Sequence, residues 1–329
     1  MFKGKLNLEA DYFTRKRDGL LNQLSIVLPE TMGASSAEAN LDSDETKGFD
    51  INITHRNKIG DFNYYVNGNM SYTRTKYLES APTQWADSWQ KYKLDTNGRY
   101  DDVMWGNLTD GVYQSRAEIF DGPWPGGDAY HRIWPGNDIL VDTNGDGSIS
   151  SNYDAQVIGI GLKRGDGVAK PLLNFGLTLG ATWKGFDIDL LFQGGAATYM
   201  KYDGQIGDRE PWGRNSLAMY ADRWQPVSYD DLEGAWTPGR FPAMGSDQWN
   251  WDTESFIHDA KYLRLKSAEI GYTIPSSLTD KIGIDAFRIF ANGYNILTWD
   301  SLDSWDPEKR GDLNYMTAST FNVGVNVQF

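Results

Sequence analysis

The closing stretch of the chain, Phe321-Asn322-Val323-Gly324-Val325-Asn326-Val327-Gln328-Phe329, alternates without a break. Aliphatic and aromatic side chains take every odd position, and Asn, Gly and Gln take the even ones. Successive residues of a strand point to opposite faces, so this stretch reads as a ribbon with one apolar and one polar side. Reading back along the chain, residues 6–12, 49–56, 62–73, 173–183 and 186–193 repeat the pattern. Residues 262–274 and 287–297 repeat it less regularly. Several runs last about ten residues, the length of a tilted membrane strand, where soluble strands average about five or six. The expected fold is all-β: an antiparallel transmembrane β-barrel segment of about eight strands that ends on Phe329.

The connections sharpen this. Short turns at residues 57–60, 184–185 and 275–284 alternate with long links at 14–48, 78–172, 197–261 and 298–320. Strict alternation puts every long link at one end of the sheet. That is the asymmetry of an outer-membrane barrel, with short periplasmic turns and long extracellular loops. Tyr64, Tyr72 and Trp183 fall where an aromatic girdle would sit. A soluble carbohydrate-binding β-sandwich meets the alternation too, since alternation alone does not say whether the apolar face meets lipid or a core. A small self-contained barrel is a further alternative.

The 329 residues carry a net charge of −14 and no cysteine. The charge argues against nucleic acid as a partner, and the missing thiols exclude disulfides and thiolate chemistry. No apolar run reaches the length of a transmembrane helix. The first residues show no apolar signal-peptide core, so the chain is expected to begin partway into a longer protein.

Short motifs carry a family resemblance. Tyr262-Leu263-Arg264-Leu265-Lys266-Ser267-Ala268-Glu269-Ile270-Gly271-Tyr272-Thr273-Ile274-Pro275, then Asn292-Gly293-Tyr294-Asn295-Ile296-Leu297-Thr298-Trp299, then Asp306-Pro307-Glu308, resemble signatures of SusC/RagA-type TonB-dependent outer-membrane transporters. Asp11-Tyr12-Phe13, Gly48-Phe49-Asp50 and Asp110-Gly111-Val112-Tyr113-Gln114-Ser115 are similar to upstream ones, in the family's order. The resemblance implies an outer-membrane importer of oligosaccharides or peptides. It implies a SusD-like surface lipoprotein as lid and the TonB complex as energy source. It also implies a plug domain and TonB box, which this chain does not show. Residues 1–329 are therefore expected to be the C-terminal portion of a barrel, with TonB engaged through the missing N-terminal region and outer-membrane lipid around it.

Two sets of residues are candidate sites. In the first, Trp89, Trp105, Trp124 and Trp134 lie in the long links beside Asp and Asn, a composition suited to stacking on sugar rings. Packing of the loops on one another, or on a lid, explains the same residues. In the second, Asp142, Asn144, Asp146 and Ser148 place oxygens at alternate positions with Gly147 at the sixth, the first half of a calcium loop. Tyr153 takes the place of the closing carboxylate, and Asp154 follows it. An Asx- and Gly-rich turn without metal is the alternative. The polar face with Asn63, Asn67, Asn69, Asp187 and Asp189 is expected to line the barrel interior. His55, His131 and His258 form no zinc spacing and no nucleophile elbow occurs, so no enzyme is expected.

Overall fold

Each alternating run becomes a strand of one antiparallel sheet. The computed structural model describes residues 4–23, 33, 37–81, 83–123, 133–150, 153–163, 168–202, 217–243, 252–302, 305–309 and 317–329. The strands are β1 (Leu6–Gln23), β2 (Glu38–Ile59), β3 (Phe62–Glu79), β4 (Leu173–Trp183), β5 (Phe186–Ala196), β6 (Tyr262–Thr273), β7 (Ala286–Asp300) and β8 (Thr320–Gln328). Each lies beside its neighbours in sequence, and β1 and β8 form the two edges of this 8-stranded sheet. Helices play a small part, and no helix among the described residues is long and apolar enough to cross a membrane. That says nothing of a β-barrel.

Register aligns the apolar positions into continuous rows. One row runs Leu8, Ile53, Gly68, Leu177, Phe192, Leu265, Leu297 across β1 to β7. Near the short turns another runs Phe62, Trp183, Phe186, Tyr272, Ile289, Val325. Phe186 and Tyr272 lie 4.5 Å apart, centroid to centroid, part of the aromatic belt at that end. These side chains are exposed: Leu8 63%, Trp183 51%, Ile270 55%, Val323 81%, Phe329 85%. A water-facing sheet does not carry such a surface; a contiguous apolar face this large marks contact with lipid or protein.

The buried core lies elsewhere. Its apolar members, Tyr113, Ile119 and Ile133 in one cluster and Met200, Tyr202, Phe256, Ala260, Leu302 and Trp305 in another, belong to the connections at the long-loop end. Among the described residues, two short α-helices sit there, α1 (Ser88–Leu94) and α2 (Arg116–Asp121). Asp87 caps the first by accepting from the Gln90 amide at 2.7 Å. Ser115 caps the second by accepting from the Glu118 amide, while the Glu118 carboxylate accepts back from the Gln114 amide. The loops are a folded cap resting on a sheet that faces outward.

One expectation is corrected. Residues 14–48 are not a loop in the main: β1 continues to Gln23 and β2 begins at Glu38. Beyond the apolar rows this ribbon carries polar side chains on both faces, with Ser43, Asp44 and Thr46 buried on β2, so the alternation that marks a strand disappears from the sequence while pairing continues. Polar contacts hold it instead. Arg17 forks onto the Asp44 carboxylate, with Nε to Oδ1 at 2.9 Å, and Thr46 and Thr75 hydroxyls lie 3.0 Å apart. Arg17 also holds the Asp44 carboxyl below the ordinary carboxylate range. The irregular sixth and seventh runs have a local cause as well. The β6–β7 register shifts between Leu265 and Ser267, and Asn295 takes a left-handed φ of 51°.

Candidate functional site

The polar face of the sheet is a cross-linked surface. Tyr65 on β3 lies across Gly180 of β4 and donates its hydroxyl to Asp189 on β5. Arg288 on β7 pairs in register with Thr273 of β6, and its guanidinium passes over Gly271 to reach Asp187 on β5, with Nε to Oδ1 at 3.1 Å; it also ion-pairs Glu269 at 2.7 Å. Both reaches need a glycine in the intervening strand. A Cβ at Gly180 would stand 2.7 Å from Tyr65 Cδ1, and one at Gly271 would stand 2.6 Å from Arg288 Nε. Amides extend the network: Asn67 donates to Asn52 and Thr54 at 2.7 Å each, Asn292 to Glu269 at 3.1 Å, and Asn322 to Asn292 at 3.0 Å. Asn63 donates to Thr182 at 3.2 Å. Toward the short turns this face borders a concavity of about 630 Å³ whose lining includes Arg56, Asn63, Tyr65, Asp187 and Asp189. Of the expected interior residues, Asn63, Asn67, Asp187 and Asp189 all make such cross-strand bonds.

Where the sheet meets the cap, two sequence motifs join. Arg264 of β6 is 2% exposed, and its guanidinium ion-pairs Asp306 at 2.6 Å and Glu308 at 2.7 Å. Tyr262 donates to Glu308 at 3.1 Å and Gln193 of β5 donates to the same oxygen at 3.3 Å. Burial opposes ionisation of Asp306, yet hydrogen bonds from Thr317, the Glu308 amide and Arg264 hold its carboxyl below the usual range. The clamp ties the connection after β7 to the polar side of β5 and β6. The two motifs lie about forty residues apart in the chain, and nothing local in the sequence joins them. The available signal was an arginine at an inward position of an apolar strand, which needs a buried anion.

The tryptophans do not form one site. Trp89 and Trp105 meet through Tyr92, with centroid distances of 5.3 and 5.6 Å, and the Arg99 guanidinium lies 5.0 Å from both the Tyr92 and Trp105 rings. Trp134 packs separately against Trp236 at 5.9 Å, with Arg116 4.7 Å over its ring. Trp124 and His131 lie outside the described residues.

The 142–148 turn winds around its own oxygens. Asp142 accepts from the amides of Gly145 at 2.7 Å and Gly147 at 2.6 Å, bonds that hold its carboxyl below the ordinary range. Asn144 accepts from the Asp146 amide at 3.0 Å, and Asp146 from that of Ser148 at 2.8 Å. Asp154 is buried and pins the turn by accepting from the Thr143 amide at 2.9 Å and the Ser150 amide at 2.6 Å. Among the described residues no three His, Cys, Asp or Glu side chains gather as metal ligands; Asn and Ser oxygens stand outside that count.

An open antiparallel sheet with an apolar outer face, a cross-linked polar inner face and a loop cap at one end has the architecture of an outer-membrane β-barrel wall. No family model matches the sequence. The resemblance to SusC/RagA-type TonB-dependent receptors nevertheless holds over the whole chain. It is 27% identical over 358 aligned residues to TonB-dependent receptor P3 of Formosa agariphila, covering 100% of this chain and 33% of the relative. It is 22% identical to TonB-dependent receptor SusC of Bacteroides thetaiotaomicron, covering 99% of this chain and 30% of the relative. Among solved structures, the RagAB peptide transporter shares the fold, with a TM-score of 0.67 at 19% identity over 100% of this chain and 34% of that one. The chain thus spans about a third of the length of the relatives it matches.

Proposed function

We propose that residues 1–329 form the C-terminal sector of the barrel of an outer-membrane, TonB-dependent importer of oligosaccharides or peptides. The carrying observation is the two-faced sheet: lipid-compatible on one side, hydrogen-bonded and charged on the other, with its long connections at one end. The two unpaired edges, β1 and β8, support a sector of a larger wall. The named relatives, receptors and a transporter, support import and not catalysis. A SusD-like lipoprotein over the loop cap and the TonB complex on the opposite side complete the reading, and the Trp89–Tyr92–Trp105 cluster is its candidate contact for cargo or lid. The test is fractionation of cells expressing the gene that carries this sequence, followed by uptake assays with glycans and peptides in a deletion strain. Outer-membrane recovery and loss of uptake of one cargo class are expected. A chain that is folded and monomeric in plain buffer would overturn the reading.

We propose calcium as an accessory ligand of the Asp142, Asn144, Asp146 and Ser148 turn, with Asp154 behind it. The pre-wound oxygens support this. Calorimetric titration with Ca²⁺ is expected to give binding heat that Asp142→Ala removes; no heat in the wild type would leave the turn held by its amides alone.

A further inference from the structure

The outward face of β1–β3 changes character in a single step. The row Tyr12–Phe49–Tyr72 is level with Leu173, the first residue of the 11-residue strand β4. A tilted strand crosses the hydrocarbon in roughly 9–11 residues, so this row marks the outer boundary of the apolar band. Tyr12 is 71% exposed there, as an interfacial aromatic would be. The next two outward rows are Thr14–Lys47–Arg74 and Lys16–Glu45–Lys76. Lys47 thus stands directly opposite Arg74, an unfavourable pairing of like charges. Arg74 turns away to Asp102 at 3.0 Å and covers the Tyr100 ring. Lys47 and Lys16 remain with side chains 54% and 56% exposed, sharing one carboxylate in these rows: Glu45, which pairs Lys47 at 2.8 Å. Asp18, which pairs Lys16 at 3.0 Å, and Glu79 lie farther from the apolar band. The chain as a whole is −14, so this cation-rich step is local and does not follow from composition. Lysine stems can run along the apolar rows while their ammonium groups stay at headgroup depth.

We infer that Lys16, Lys47 and Lys76 bind the phosphate of an outer-leaflet glycolipid of lipid A type. The inference rests on the membrane reading proposed above. Each lysine near a charged membrane surface contributes enough that losing all of them weakens binding about 100-fold.

The test uses the protein that carries this chain, purified in neutral detergent and titrated with phosphorylated lipid A, dephosphorylated lipid A and phosphatidylglycerol. Native mass spectrometry reads the bound lipid. Phosphorylated lipid A is expected to bind, and K16S/K47T/K76T to weaken it about 100-fold. Removing the lipid phosphate, or raising salt toward 1 M, should weaken it in the wild type, because surface charges are screened over a Debye length of about 3 Å at 1 M. A K16R/K47R/K76R variant should retain binding, and the salt series needs no variant should the triple substitution misfold. Equal binding by wild type and triple variant, salt-independent binding, or equal affinity for phosphatidylglycerol would each overturn the assignment. A wild type that requires detergent yet binds no phosphorylated lipid would sink this inference alone; a wild type folded without detergent would sink the membrane reading beneath it.

Discussion

Gly180→Ala is expected to be among the most disruptive single-methyl additions in the sheet. The added Cβ would lie 2.5 Å from Tyr65 Cζ and 2.7 Å from Cδ1, where ordinary carbon contacts are about 3.5–4.0 Å. The ring has to swing off β4. Overpacking of this kind costs about 1–3 kcal/mol. The swing also takes the hydroxyl from Asp189, and a hydrogen bond to a charged group contributes about 1.5–3 kcal/mol, discounted here because the polar face is partly hydrated. Together these give roughly 3 kcal/mol. The double variant Tyr65→Ser with Gly180→Ala isolates the cause. Once the ring is gone the new methyl has room, so the double variant should be no worse than Tyr65→Ser alone. The coupling energy is then about −2 to −3 kcal/mol. The assay is urea unfolding of the detergent-solubilised protein followed by tryptophan fluorescence. Additive losses, or a Gly180→Ala midpoint equal to wild type, would refute the idea that Gly180 exists to let Tyr65 cross.

Other expectations follow from the cap. Arg264→Met leaves Asp306 and Glu308 without their cation and should cost about 3–5 kcal/mol, with most recovered in the triple variant Arg264→Met/Asp306→Asn/Glu308→Gln; limited proteolysis of the connection after β7 reads this, and equal protection in the single and triple variants would count against the clamp. His258, whose ring lies 3.8 Å from the Tyr202 ring at a tilt of 31°, is pushed down to about 4 by burial and by the Arg240 charge. The unfolded chain therefore takes up the proton first as pH falls, so the stabilisation is whole above about pH 6.5 and declines toward pH 4, by at most about 3 kcal/mol. Thermal melts of wild type against His258→Phe across that window should diverge, and parallel curves would mean that His258 is not buried neutral. Trp89→Ala and Trp105→Ala should each weaken cargo or lid binding about tenfold while Trp134→Ala, whose ring is occupied by Trp236 and Arg116, should act through loop stability instead; uptake kinetics with a melt of each variant separates the two.

Much of the wall was legible in the linear chain because a lipid-facing strand must alternate. Residues 173–183 and 321–329 announce themselves by that rule, and a sheet neighbour is not needed to read them. The order of long and short connections likewise carried the polarity of the sheet. What alternation did not carry was any strand that leaves the membrane. The outer halves of β1 and β2 are polar on both faces, so pairing there depends on partners such as Arg17 and the buried Asp44 that only register brings together. The same limit held for the sites. Tyr65 and Asp189, or Arg264 and Asp306, are far apart in sequence, and their contact is set by strand order and by glycines that leave room between. The four tryptophans looked alike in composition, yet tertiary packing joined Trp89 to Trp105 and assigned Trp134 to another cluster. Local periodicity is a property of one strand and its solvent, and the sequence alone determines it. Side-chain networks are a property of neighbours, and only the folded sheet decided them.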